Sequence, residues 1–143
     1  MRLLRLSVLL VSLALLTVLT ACGAQSSADD LATELETVTS WAATAHMVGD
    51  AWINGTVPTA YAKQTLEAAQ QSLQEEMDTL AQGSTVPSDR RTKLLETLQS
   101  LEQTVGQMAT AVEQEDRAAL TQQMQQLSTE EQTIGTLAKN AGA

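Results

Sequence analysis

The residues that could do chemistry in this chain are few. There is one histidine, His46, and it stands beside Met47. An imidazole next to a thioether is a soft donor pair suited to Cu(I) outside the cytoplasm. His46 and Met47 are therefore the only metal candidates, and copper handling is the alternative to a plain binding role. The pair lacks the repeated Met spacing that a copper carrier uses, and Met77, Met108 and Met124 fall on apolar stripes where Met fills core space. Acid pairs occur at Glu75-Glu76, Glu115-Asp116 and Glu130-Glu131. Neighbours on a helix point about 100° apart, so such pairs chelate a divalent ion badly and read as solvated faces. A carboxylate-bridged di-metal bundle needs Glu-x-x-His on two helices, which one histidine excludes. Cys-x-x-Cys-His is absent, as is a Gly-rich phosphate loop, and a lone His without a paired nucleophile makes no triad. The expectation is no cofactor, no catalytic site and no enzyme.

Three aromatic residues are all the chain has: Trp41, Trp52 and Tyr61. Trp41 and Trp52 lie about three helical turns apart and share a flank of one helix, and a turn separates Trp52 from Tyr61. A patch of this kind either joins two helices or meets a partner, since aromatics concentrate at interface hot spots. The joining role is favoured, because an interior rich in alanine needs bulk somewhere.

The elements that hold these residues are helical throughout, with no alternating run that would suggest a strand. The first carries Leu31, Leu35, Val38, Ala42, Ala45, Gly49 and Trp52 at spacings of three and four, and Asn54-Gly55-Thr56-Val57-Pro58 stops it. His46 falls at the edge of that face. The second, from about Pro58 to Gln82, repeats the pattern with Ala62, Leu66, Ala69, Leu73, Met77 and Leu80. Gly83 to Pro87 ends it with similar turn chemistry. The third, from about Ser88 to Gln114, carries Leu94, Leu98, Leu101, Val105, Met108 and Val112. Asp116 suits the N-cap of a fourth, with Leu120, Met124, Leu127, Ile134 and Leu137. Glu131 stands where that stripe wants an apolar group, so either the helix breaks near Ser128 or the stripe rotates there. Four amphipathic helices of similar length with short connections predict an all-α, antiparallel, up-down-up-down four-helix bundle over residues 31–140.

What precedes the bundle has a different character. Arg2 and Arg5 are followed by an almost wholly apolar stretch from Leu6 to Leu19, the order of an export signal. It ends in Leu19-Thr20-Ala21-Cys22, which resembles the lipobox of bacterial lipoprotein precursors. That resemblance covers only about the first 22 residues. It implies a signal peptide over residues 1–21, cleavage before Cys22, and lipid attached to Cys22, the only cysteine in the chain. Residues 22–30 then read as the lipidated cysteine and a flexible tether, reaching at most about 28 Å when extended. No disulfide is possible, so the domain must be held by burial.

Loss of Arg2 and Arg5 leaves six basic residues against 17 acids, a net charge of −11. Such a surface repels nucleic-acid backbones and anionic headgroups. Attachment to the membrane therefore has to come from the lipid. The partner to expect is another envelope protein or a small ligand, and the location is the outer face of the cytoplasmic membrane or the outer membrane. Gly23 in place of Asp after the cysteine lacks the inner-membrane retention signal of some enteric lipoproteins, which favours the outer membrane in a two-membrane host.

Overall fold

The computed structural model describes residues 23–83 and 88–141, and side chains from Thr33 to Asn140 within that range. The expected signal peptide, Cys22 and residues 84–87 of the second turn lie outside the described residues. Four helices account for nearly all the rest: α1 Gly23–Ile53, α2 Thr59–Gln82, α3 Ser88–Glu113 and α4 Arg117–Ala141. Among the described residues there is no strand. No helix among them is long and apolar enough to cross a membrane.

Each helix packs on the next, α4 closes back on α1, and α1 also touches α3 across the middle. The predicted stripes supply the core. Val38, Ala42 and Ala45 of α1, Leu66 and Leu73 of α2, Leu98, Leu101 and Val105 of α3, and Leu120 and Leu127 of α4 are all fully or almost fully buried. The interior is graded in size. Where α1 presents Gly49, the tips of Met108 and Met124 fill the space: a β-carbon there would sit 3.0 Å from the Met124 sulfur and 3.1 Å from the Met108 methyl. The adaptable thioether side chains on α3 and α4 thus compensate for the small residues on α1.

Two helices end in the same way. After α1, the Gly55 amide donates to the Trp52 carbonyl (3.0 Å) and the Thr56 amide to that of Ala51 (2.8 Å), the paired bonds of a Schellman motif. Gly55 takes the left-handed φ of 71° that this motif requires. After α3, Glu115 donates to Val112 (3.1 Å) and Asp116 to Ala111 (2.9 Å) in the same pattern, but here the left-handed position, φ 55°, belongs to a glutamate. A residue with a β-carbon pays about 1 kcal/mol for that conformation. Asp116 then caps α4 as its position suggested, its Oδ1 accepting from the Ala119 amide at 2.9 Å.

One expectation needs revising, and one pair of open alternatives is decided. Residues 23–30, read as a flexible tether, are the first turns of α1. They contain no proline, and a helix already nucleated by the packed part of α1 propagates at one hydrogen bond per residue. Their span is then about 12 Å rather than 28 Å. Near Ser128, α4 does not break. The stripe rotates instead, and the acid it buries is Glu130, while Glu131 is half-exposed.

Candidate functional site

The turn after α1 and the turn after α3 come together at one end of the molecule and enclose a cleft of about 300 Å³. It is lined by Trp52, Gly55, Val57, Pro58, Thr59, Glu115 and Arg117. Each group is set by its helix. Trp52 is in the last turn of α1, 6% exposed, and its indole Nε1 donates to Thr59 Oγ1 at the start of α2 (3.1 Å). Arg117 opens α4. Its guanidinium carbon lies 5.7 Å from the centre of the Trp52 ring, within cation–π range, and its Nη1 donates to the Ile53 carbonyl at 3.2 Å. The cation thereby satisfies a C-terminal carbonyl of α1, where positive charge is favoured, and ties the start of α4 to the end of α1, while the Trp52–Thr59 bond ties in the start of α2.

Among the described residues Lys63 is the one Lys or Arg paired with a carboxylate, and Arg90, Arg91, Lys93, Arg117 and Lys139 are not ion-paired. Asp116 is committed to its cap, and the backbone of Glu115 is fixed by the turn. Helix α2 starts here with Pro58 as its N-cap, no side chain capping it and no acid in its first turn. The cleft therefore combines an unneutralised guanidinium, an uncapped helix start, an aromatic wall and one carboxylate.

A second polar cluster is buried between α3 and α4. Glu130, 8% exposed, accepts three hydrogen bonds at Oε1: from Ser100 Oγ (2.5 Å), Thr104 Oγ1 (3.0 Å) and Gln126 Nε2 (3.2 Å). Its Oε2 is buried without a partner, as is Oε1 of Gln123 seven residues earlier on α4. The arrangement lacks a charged partner and opens into no described cleft.

The other sequence candidates scatter. Trp41 is half-buried against the core, and Tyr61 is 54% exposed. Of the three aromatics only Trp52 enters the cleft, where the neighbours that hold its indole are Thr59 and Arg117 rather than Tyr61. His46 is about one-third exposed, with Nε2 3.9 Å from Asp50 Oδ2 and Nδ1 3.9 Å from Glu131 Oε2. Met47 beside it is 66% exposed, while Met108 and Met124 are in the core and Met77 packs on its edge. No group of three or more His, Cys, Asp or Glu among the described residues could hold a metal ion. At Glu75-Glu76, partial burial and then the neighbouring Glu75 charge push the Glu76 carboxyl above the usual carboxylate range. Across α2 and α3, the Lys63 ammonium donates to Glu113 at 2.6 Å, and that bond holds its pKa above the ordinary lysine value.

Sequence reasoning missed Thr59, Glu115 and Arg117 in the cleft and Ser100, Thr104 and Glu130 in the buried cluster. A tryptophan in a last helical turn and an arginine at a first one were the available signals for the cleft. No protein-family model, curated protein or solved structure matches the chain.

Proposed function

We propose that this chain is an exported lipoprotein, anchored through lipid on Cys22, whose up-down-up-down bundle acts by binding and not by catalysis. The observation that carries the reading is the order of the N-terminus: two arginines, an apolar stretch, then Leu19-Thr20-Ala21-Cys22 with the chain's sole cysteine. The antiparallel arrangement is supported by the pairs between helices. Lys63 meets Glu113 while Gln70 meets Glu102, and Ile53 meets Arg117 while His46 meets Glu131, so numbers rise on one helix as they fall on its neighbour. In that arrangement the Trp52–Arg117 cleft is at the end of the bundle away from the start of α1, and hence away from the lipid. A binding site held clear of the membrane suits a small ligand arriving from the aqueous side. The test is Cys22→Ser in the full chain, expressed with a clickable palmitate analogue. Lipid labelling should disappear and the uncut precursor should accumulate, because lipidation precedes cleavage. Normal labelling or normal cleavage in that variant would overturn the reading.

A further inference from the structure

The cleft at the Trp52–Arg117 end has a chemistry specific enough to name a ligand class, and doing so rests on the proposal that the bundle is a binding module. Three observations converge there. The first is an arginine in the cleft lining. Arg117 spends one N–H on the Ile53 carbonyl and its face on Trp52, leaving the rest of its five-donor fork without an acceptor among the hydrogen bonds and ion pairs of the described residues. Other cations of the described residues also lack a carboxylate partner, but Arg117 is the one that lines this cleft, exposed there with a fork shaped for a carboxylate or phosphate. The second is Glu115. It lines the same cleft, and it holds a left-handed φ of 55° that glycine would hold without strain. Strain of this kind gathers at ligand sites. The third is a small apolar part of an otherwise mainly polar lining, supplied by Val57 and Pro58 with the edge of the nearly buried Trp52, within a volume of about 300 Å³, the lower end of the range for small-molecule sites.

An anion alone, such as phosphate, would meet Arg117 but also the Glu115 carboxylate, and would leave the apolar wall unused. A molecule carrying one carboxylate, one ammonium and a small apolar body satisfies every group. We infer that the cleft binds a free α-amino acid with an apolar side chain, its carboxylate on the Arg117 guanidinium, its ammonium on Glu115 and its side chain against Val57 and Pro58. Carboxylate on guanidinium is the bidentate, charge-assisted pairing that arginine is shaped for.

The test uses the full-length chain in detergent micelles, with L-leucine as the probe and tryptophan fluorescence as the readout, because Trp52 is in the cleft wall. Leucine should perturb the emission and saturate below about 10 mM, the weak end of small-ligand affinity. Leucine amide, which lacks the carboxylate, and 4-methylpentanoate, which lacks the ammonium, should each bind at least about tenfold more weakly, the worth of one charge-assisted bond. Arg117→Gln should weaken leucine binding at least about tenfold and bring it level with that of leucine amide. Glu115→Gln, which keeps the turn and removes only the charge, should erase the preference for leucine over 4-methylpentanoate. Circular dichroism on both variants establishes that they are folded. If Arg117→Gln does not fold, the Glu115→Gln comparison alone decides. Saturation by inorganic phosphate as tight as by leucine would show an anion site only, and no response to leucine would show no site; either overturns the inference. The outcome is independent of lipid labelling at Cys22, so failure here leaves the anchoring proposal standing, and failure there leaves this one.

Discussion

Helices α1 and α3 face each other across the bundle with opposite means of filling it. The buried face of α1 starts with Leu35 and Val38, narrows to the small residues Ala42, Ala45 and Gly49 with Val48 between them, and is closed by Trp52. That of α3 is built from Leu94, Leu98, Leu101, Val105, Met108 and Val112. A chain without phenylalanine thus reaches a packed interior by letting one helix come close and another reach far. The difference teaches that a low aromatic content thins the core on one side only, and that stability is held unequally by the two helices.

The strongest way to break this comparison is on the large side. Leu101 is fully buried in the middle of α3, and Leu101→Asp should unfold the domain. An unpaired buried carboxylate costs several kcal/mol against a total stability of about 5–15 kcal/mol. Loss of the helical signal in far-ultraviolet circular dichroism checks it. On the small side, the bulk is concentrated in Trp52, so Trp52→Ala should lower the unfolding free energy by about 3 kcal/mol or more, measured by urea titration. A milder result there would mean that the rest of the buried face, Leu35, Val38, Ala42, Ala45 and Val48, holds α1 without it.

The stripes behind these two predictions were legible because apolar spacing reports helical faces directly: every stripe residue of α3 and nearly every one of α1 and α2 is buried. The Gly55 turn and the Asp116 cap were legible because few residues suit those backbone positions. Glu130 was not. Periodicity locates a face to within one residue, and what makes a carboxylate tolerable inside is the hydroxyls of Ser100 and Thr104 on another helix. Residues 23–30 were misread because composition reports what a segment prefers alone and not what an adjoining helix imposes. The cleft was hidden for a further reason. Its walls come from two turns about 60 residues apart in sequence, and no local pattern records their meeting.

Smaller effects sharpen the comparison at glycine positions. Gly135, in the interior of α4, has nothing within 4 Å of where a β-carbon would lie, so Gly135→Ala should stabilise by about 1 kcal/mol through helix propensity alone. Gly49→Ala gains the same propensity but presses on Met108 and Met124, and should come out near zero. The gap between the two variants in thermal melts measures how tightly the methionines fill the space over α1. Glu115→Gly relieves the left-handed strain that Gly55 avoids, a gain of about 0.5–1 kcal/mol, less the greater chain entropy of glycine when unfolded. A loss of stability in that variant would mean that the glutamate side chain contributes more to the turn than its backbone strain costs.

The Glu130 cluster makes the alignment of α3 and α4 a matter of sequence and not only of shape. On the row of α3 that carries Ser100 and Thr104, the next positions a turn away are Glu96 and Met108. A slip of one turn would set the carboxylate against another carboxylate in one direction and against a thioether in the other, forfeiting a hydroxyl donor each time. Leucine-lined helices alone would tolerate such sliding, since one apolar layer resembles the next. Glu130→Leu should therefore leave helix content intact and permit sliding, which cysteine pairs introduced one turn out of alignment would capture as disulfides. In the native chain those pairs should stay reduced. One acidic side chain then acts as a key, admitting a single alignment of two otherwise interchangeable surfaces.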